Sequence, residues 1–518
     1  MKIQITLLAA CLLATTLSAQ QGRDNVSPQM LTRIKAEGFD NSKVMETLFQ
    51  LTDVAGPRLT GSSGLLRAQQ WARGQLIEWG LEHAALEPWG GFGRGWETQK
   101  SYVAMTAPYY QPLIAVPKAW TPGTRGLIAA DAILIKLTKA EDLEQYRGKV
   151  AGRIIVMAPE STDMKPGFTA DARRLSEEEL QKLGRDPRME DQPDNAAGPS
   201  REQRRELARV RQKADSFLLT QGALAIITGN RGSMGTVFTS NGAPYSWAAK
   251  PVLPGLEMSI EDLNRLTRLL QAGKSVKLEM EVRNTFLTAD STAYNVIAEI
   301  PGTDRQLAGE VVMLGAHIDS WHGATGATDN AAGVAVMMEA VRILKALDVQ
   351  PRRTIRIALW SGEEQGIHGS RGYVKQHFGD AATMKLKPEH ERISAYYNLD
   401  NGAGRIRGIY LQGNDAVRPV FETWMAPFND LGATTVTIRN TGSTDHVPFD
   451  AVGIPGFQFI QDPLEYGSRT HHTNMDTYDR VVKADLMQAS VIVASFVYNT
   501  AMRSDLLPRK PLPKVKKI

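Results

Sequence analysis

From Tyr294 to Met502 the chain alternates short apolar runs with longer segments of helical spacing, and this alternation constrains the fold more than any other feature. The strand-like runs are "YNVIAEI", "VVMLGA", "TIRIALW", "ISAYYNL", "TTVTI" and "GFQFI". Between and after them lie helical patterns following Asp329 and Gly369, around "VFETWMAPF", and in "ADLMQASVIVASFVYNTAM". Strands that take turns with helices predict an α/β fold, a mostly parallel twisted sheet with helices on both faces.

Residues 117–285 have a different texture. "GKVAGRIIVMAP" and "GALAIITGN" read as strands, and "SVKLEMEV" alternates Val276, Leu278, Met280 and Val282 as a half-buried strand does. The simplest layout is one α/β domain, built from 22–116 and 286–505, interrupted by a β-rich insertion. Within the insertion the charge-dense run 162–213 reads as an exposed helical excursion, solvated on most faces. The Pro- and Lys-rich tail, 506–518, reads as disordered.

A length of 518 residues exceeds one ordinary core, in keeping with two domains. The net charge of +4 comes without a basic stripe interleaved with aromatics, which argues against nucleic acid as a partner. The first residues, "MKIQITLLAACLLATTLSAQQ", follow secretory-signal grammar with cleavage after Ala19, so the chain is expected to be exported to a periplasm or beyond the cell. That apolar run is shorter than the ~20 residues a membrane span needs. Cys11 is the only cysteine, and "LAAC" also fits a lipoprotein processing box. With cleavage at Ala19 the mature chain has no cysteine, which excludes disulfides, thiolate catalysis and cysteine-zinc sites.

The chemistry concentrates where strands end. "GAHIDSWHGATGATDNAAG", residues 315–333, places two His and two Asp between a strand and a helix, where a core would not accept unpaired charge. Its glycines come too late after the strand for the G-x-G-x-x-G spacing of a dinucleotide cradle. Ligands of open α/β sheets sit beyond the carboxyl ends of strands. There this chain has His317 and Asp319, then Glu363 and Glu364, then Asp400, then His471 and His472, with Asp329 at the start of a helix. Imidazole and carboxylate donors suit zinc. Two zinc ions ~3.5–4 Å apart need a bridging carboxylate to offset their repulsion. Adjacent Glu363 and Glu364 leave an extended backbone in different directions, so one is free to bind metal while the other serves as general base. Asp319, two residues beyond His317, is placed to hold the second ring nitrogen.

As a set, "AHIDS", "GATDNAAG", "WSGEEQG", "NLDNG" and "HHTNMDT", with "YNVIAEIPG" upstream, resembles the two-zinc exopeptidases of peptidase family M28. "HIDSW", "EEQG" and "DVAGPRLTGSSG" resemble its plasma glutamate carboxypeptidase branch, also called the carboxypeptidase Q branch, which carries a protease-associated insertion. The resemblance runs from about Lys43 to Met502. It implies that Asp329 bridges two zinc ions, that His317 and Asp400 complete one site, and that Glu364 and His472 complete the other. It implies Glu363 as general base and acid, Asp319 as support for His317, and a small peptide as substrate. Cobalt or manganese fit the same ligands, and the branch implies a homodimer. His322 and the "STDH" stretch, Ser443 to His446, depart from the branch. His446 is open to two readings, a donor to the reaction's oxyanion or a supporting or surface residue.

The expected activity is that of a secreted metal-dependent exopeptidase acting on dipeptides or short peptides with free termini. The alternatives are a dizinc deacylase or cyclase acting on N-modified amino acids or peptides, and a non-catalytic module whose insertion binds partners.

Overall fold

The computed structural model describes residues 27–159, 162–164, 167–187, 201–229, 231–240 and 242–514, with 201–208 and 211 described by their backbone alone. The expected signal segment 1–19, with Cys11, lies outside the described residues. Among the described residues no helix is long and apolar enough to cross a membrane.

The first sheet has eight strands. Their spatial order is Glu82–Gly91, Thr292–Ile300, Thr354–Trp360, Val311–His317, Ile393–Asn398, Gly456–Gln461, Ile406–Tyr410 and Thr435–Thr437. The four central strands are parallel. Toward the edges the sheet turns antiparallel, at Thr292–Ile300 with both its neighbours and at Ile406–Tyr410 with Gly456–Gln461. Chain length accounts for the first of these reversals. Only residues 301–310 link Thr292–Ile300 to Val311–His317, and a parallel return needs a crossover of about a dozen residues or more.

Side chains of the central strands alternate between two apolar layers. Val312, Leu314 and Ala316 pack with helices Ala332–Ala346 and Lys483–Met502. Val311 and Met313 pack with helices His368–His377 and His446–Ala451 through Tyr373, Val374 and Phe449. Helices therefore cover both faces. Ala332–Ala346 is buried on nearly every side, which is why its sequence is apolar around most of its circumference. Each large aliphatic side chain so buried contributes about 1.5–3 kcal/mol.

Gly315 lies in the middle strand, where a Cβ would stand 2.2 Å from the Ala358 carbonyl oxygen of the neighbouring strand. Gly315→Ala is expected to lower stability by roughly 2–3 kcal/mol. A lower denaturant midpoint at unchanged slope would register it, and an unchanged midpoint would show that the strands part without cost.

The second sheet, also of eight strands, runs Gln111–Pro112, Gly95–Ala107, Lys277–Leu287, Ile128–Ile135, Ile154–Met157, Ala225–Thr228, Gly255–Met258 and Ala115–Pro117. It starts before residue 117, because Gly95–Ala107 pairs along its length with Lys277–Leu287. The early part of that strand, "GWETQK", has no clean alternation, so its membership was not legible from pattern.

Among its described residues the excursion is exposed on most faces, with Leu180 buried. Helix Glu177–Arg185 lies beside strand Thr435–Thr437, and Thr437 Oγ1 donates to the Leu183 carbonyl at 2.8 Å. One other expectation changes. The tail is docked as far as Lys510, whose Nζ donates to the Gln412 carbonyl. Leu507 is buried and its N–H donates to Ser394 Oγ, while Arg509 donates to the carbonyls of His390 and Ile393. Extended, Pro-rich chain of this kind leaves its basic side chains free to donate to carbonyls at strand ends.

Candidate metal centre

Register brings the site together. In the four parallel strands His317 stands opposite Trp360, Gly315 opposite Asn398, and Asn398 opposite Gln458, so the loops beyond them leave from one edge. Those loops carry Asp319, the Glu363–Glu364 pair, Asp400, and the His471–His472 pair.

Two groups of donors form there and share Asp329. His317 Nε2 lies 3.4 Å from Asp329 Oδ1 and 3.4 Å from Asp400 Oδ1. His472 Nε2 lies 3.0 Å from Asp329 Oδ2 and 2.9 Å from Glu364 Oε2. Asp329 thus turns one oxygen toward each group. His471 Nε2 is 3.7 Å from the same Asp329 Oδ2, closer than sequence reading implied. The donor atoms of His317, Asp329 and Asp400, and likewise those of Asp329, His471 and His472, lie within 4.8 Å of one another.

The donors fit metal ions. Asp329 Oδ2 and Glu364 Oε1 are buried without a hydrogen bond of good geometry, which native interiors rarely tolerate. Asp329, Asp400 and Glu364 gather three carboxylates in a buried space, and such a concentration of negative charge calls for cations. Burial first, with Asp400, Asp445 and Glu364 adding to it against His317, pushes the Glu363 carboxyl well above the usual carboxylate range.

Local structure holds each donor. Asp329 and Asn330 have non-helical backbone angles just before helix Ala332–Ala346, and the bond between them is cis. Asp476 accepts the N–H of Thr328 at 2.6 Å and of Asp329 at 3.1 Å, which fixes the turn that presents the Asp329 carboxylate. Asn330 Nδ2 donates to the Leu399 carbonyl, tying that turn to the Asp400 loop. His472 sits at φ 60°, a left-handed conformation that costs a non-glycine residue energy unless its surroundings enforce it.

Asp319 acts differently from the expectation. The His317 Nδ1 partner is the backbone oxygen of Asp319, at 3.1 Å, with the carboxylate farther off at 3.7 Å. That carboxylate accepts instead from Thr60 Oγ1 and from the backbone N–H groups of Glu363 and Glu364. Those two N–H groups leave the end of the neighbouring strand, and they reach the carboxylate before the ring does. The residue therefore braces the Glu363–Glu364 turn with its side chain and His317 with its main chain.

His322 points away from the donors, its Nε2 2.6 Å from the Pro117 carbonyl. His446 is fully buried, with Nε2 3.0 Å from the Thr441 carbonyl, so the surface reading is excluded. Burial, opposed by the Thr441 bond, draws its pKa down to about 4 and keeps the ring neutral.

Sequence reading singled out neither Asp476, inside "HHTNMDT", nor Arg58, inside "AGPRLTGSSG". Arg58 is completely buried and donates to the carbonyls of Ile318, Leu51, Thr325 and Gly326. Burial lowers its pKa to about 10, with Asp476, Asp319, Asp329 and Glu364 opposing, so it stays a cation at neutral pH. Arg58→Ala is expected to cost roughly 3–5 kcal/mol, because four buried carbonyls lose their donor and the nearby carboxylates lose a neighbouring cation. Thermal unfolding would measure this, and a loss below roughly 1 kcal/mol would contradict it.

The family model described as peptidase family M28 matches residues 295–497, which hold every one of these donors. This chain carries a peptidase family M28 domain. With that domain the chain reads as a metallo-exopeptidase, and the paired donor groups are its candidate centre. Carboxypeptidase Q of Bos taurus is 26% identical over 475 residues, covering 91% of this chain and 88% of that protein. Among solved structures, a peptidase M28 precursor from Shewanella amazonensis aligns with a TM-score of 0.66 at 24% identity, over 94% of this chain and 98% of that one. A zinc aminopeptidase from Bacillus subtilis aligns with a TM-score of 0.55 at 20% identity, over 90% and 97%. These two likenesses establish the fold.

Proposed function

We propose that this family M28 enzyme is an exported dizinc exopeptidase that hydrolyses dipeptides or short peptides with free termini. The observation that carries the reading is Asp329, whose two carboxylate oxygens each face a separate group of nitrogen and oxygen donors. His317 and Asp400 would hold one ion with it, and Glu364 and His472 the other. Cobalt or manganese fit the same donors. The zinc aminopeptidase from Bacillus subtilis supports the metal, and carboxypeptidase Q supports peptide hydrolysis across nearly the whole chain. The amino-terminal signal grammar supports export, and the second sheet is read as a protease-associated insertion.

When bound, a pair of zinc ions supplies Lewis acidity toward the scissile carbonyl and acidifies water. The remaining work falls to the chain. Glu363 takes a proton from the attacking water and delivers it to the amine nitrogen as the carbon–nitrogen bond breaks. Asp319 holds Glu363 in place through the backbone of the turn. Asp476 and Asn330 hold Asp329 between the two donor groups.

The test is hydrolysis of an unblocked dipeptide beside its N-acetylated and C-amidated analogues, each after chelation and after zinc add-back. Zinc-restored cleavage of the free dipeptide supports the reading, and cleavage of the amide as well marks an aminopeptidase. Cleavage of the N-acetyl compound alone replaces it with the deacylase reading.

A further inference from the structure

Residues 462–476 form the loop that presents His471 and His472, and loops of the second sheet grip it at both ends. At its start, Arg173 and Leu464 exchange backbone hydrogen bonds of 3.2 and 2.9 Å. Arg174 and the Leu175 N–H both donate to the Asp462 carboxylate, at 2.8 and 2.9 Å. Asp171 pairs with Arg469, and Ser468 Oγ donates to the Asp171 carbonyl. At its end, the Thr239 N–H donates to the carbonyl of His472 itself at 2.8 Å. Val237 N–H donates to Asn474 Oδ1 at 2.7 Å, and Asn474 donates from its backbone to the Val237 carbonyl and from Nδ2 to the Gly235 carbonyl.

The two grips come from separate parts of the second sheet. Residues 171–175 lie between its strands Ile154–Met157 and Ala225–Thr228, and residues 235–239 between Ala225–Thr228 and Gly255–Met258. The donors His317 and Asp400 need no such help, since each sits at or just beyond the end of a central strand of the first sheet. His472 is different. It lies eleven positions past Gln461, where its strand ends, in a left-handed conformation that must be enforced from outside.

We propose that the second sheet is a clamp on the His472 loop, and that Asp171 and Asn474 are positioning residues that set how tightly the Glu364–His472 position holds its metal. This rests on the dizinc reading above. It gives the charge-dense excursion a role in the metal centre of a different domain, and it makes the two metal positions respond differently to damage in the second sheet. Loosening the loop widens the range of positions open to His472 Nε2, and a ligand held less rigidly binds metal less tightly.

The test compares the full chain with the Asp171→Ala/Asn474→Ala double variant in zinc competition against a chromogenic chelator. Visible absorption of the cobalt-loaded proteins and hydrogen exchange over 464–476 are measured alongside. The expected result is two ions in the unaltered chain and, in the double variant, loss of one of them at a chelator concentration at least tenfold lower. The other ion should be released as before, one cobalt site should lose its absorption, and exchange should quicken in the loop. Asn474→Asp, which keeps the oxygen that accepts from Val237, should restore affinity to within about threefold. If the double variant fails to fold, Asp171→Ala alone is read in the same way. A folded variant that holds both ions like the unaltered chain overturns the clamp and leaves the dizinc reading intact. An unaltered chain that binds fewer than two ions overturns both.

Discussion

Glu363→Gln is expected to retain bound zinc and the native fold while turnover of a dipeptide falls by about 10²–10⁴-fold, the range that a positioned general acid–base supplies. The substitution keeps the side-chain volume and removes only the ability to take and return a proton. Glu363 belongs to neither donor group, so metal content should not change. Its turn is held through the backbone N–H bonded to Asp319, and the amide leaves that bond untouched. The decisive comparison is kcat together with metal content. Turnover above a tenth of the original with full metal would remove Glu363 from the proton path, and loss of metal would make it a ligand instead.

Asp329→Ala is expected to do more. Because the carboxylate serves both donor groups, its loss should release both ions and reduce hydrolysis to the background of the metal-free chain. His472→Ala, by contrast, touches one group and should leave the His317–Asp400 position able to bind. Folding should survive Asp329→Ala, since the turn keeps its backbone bonds to Asp476. Metal analysis of the purified variants separates the cases. One ion retained by Asp329→Ala would mean that the aspartate completes a single position and bridges nothing.

Much of the site is legible in the sequence alone. His317, Glu363, Glu364, Asp400 and His472 stand out because each comes at or after the end of a short apolar run, and parallel strands deliver their trailing loops to one edge. The parts that escape such reading act through the backbone or from a distance in sequence. Asp319 was expected to reach the imidazole with its carboxylate, yet the Glu363 and Glu364 N–H groups claim that carboxylate, a bond that depends on the register between two strands. Arg58 lies far upstream of the residues it pins, in a stretch whose Gly and Pro content reads as a turn. The same limit applies to the fold. Strand Gly95–Ala107 lacks clean alternation, so pattern alone places the start of the second sheet later than it is. The charges of the excursion are plain in the sequence, while their partners, Asp462, Arg407 and Arg469, lie more than two hundred residues away.

The most direct test of the central claim is a zinc titration of the metal-free chain, with hydrolysis of an unblocked dipeptide measured at each addition. Full activity reached at two equivalents of zinc per chain, and abolished again by chelator, is the predicted result. Full activity before any zinc is added, or none after two equivalents are bound, would contradict it.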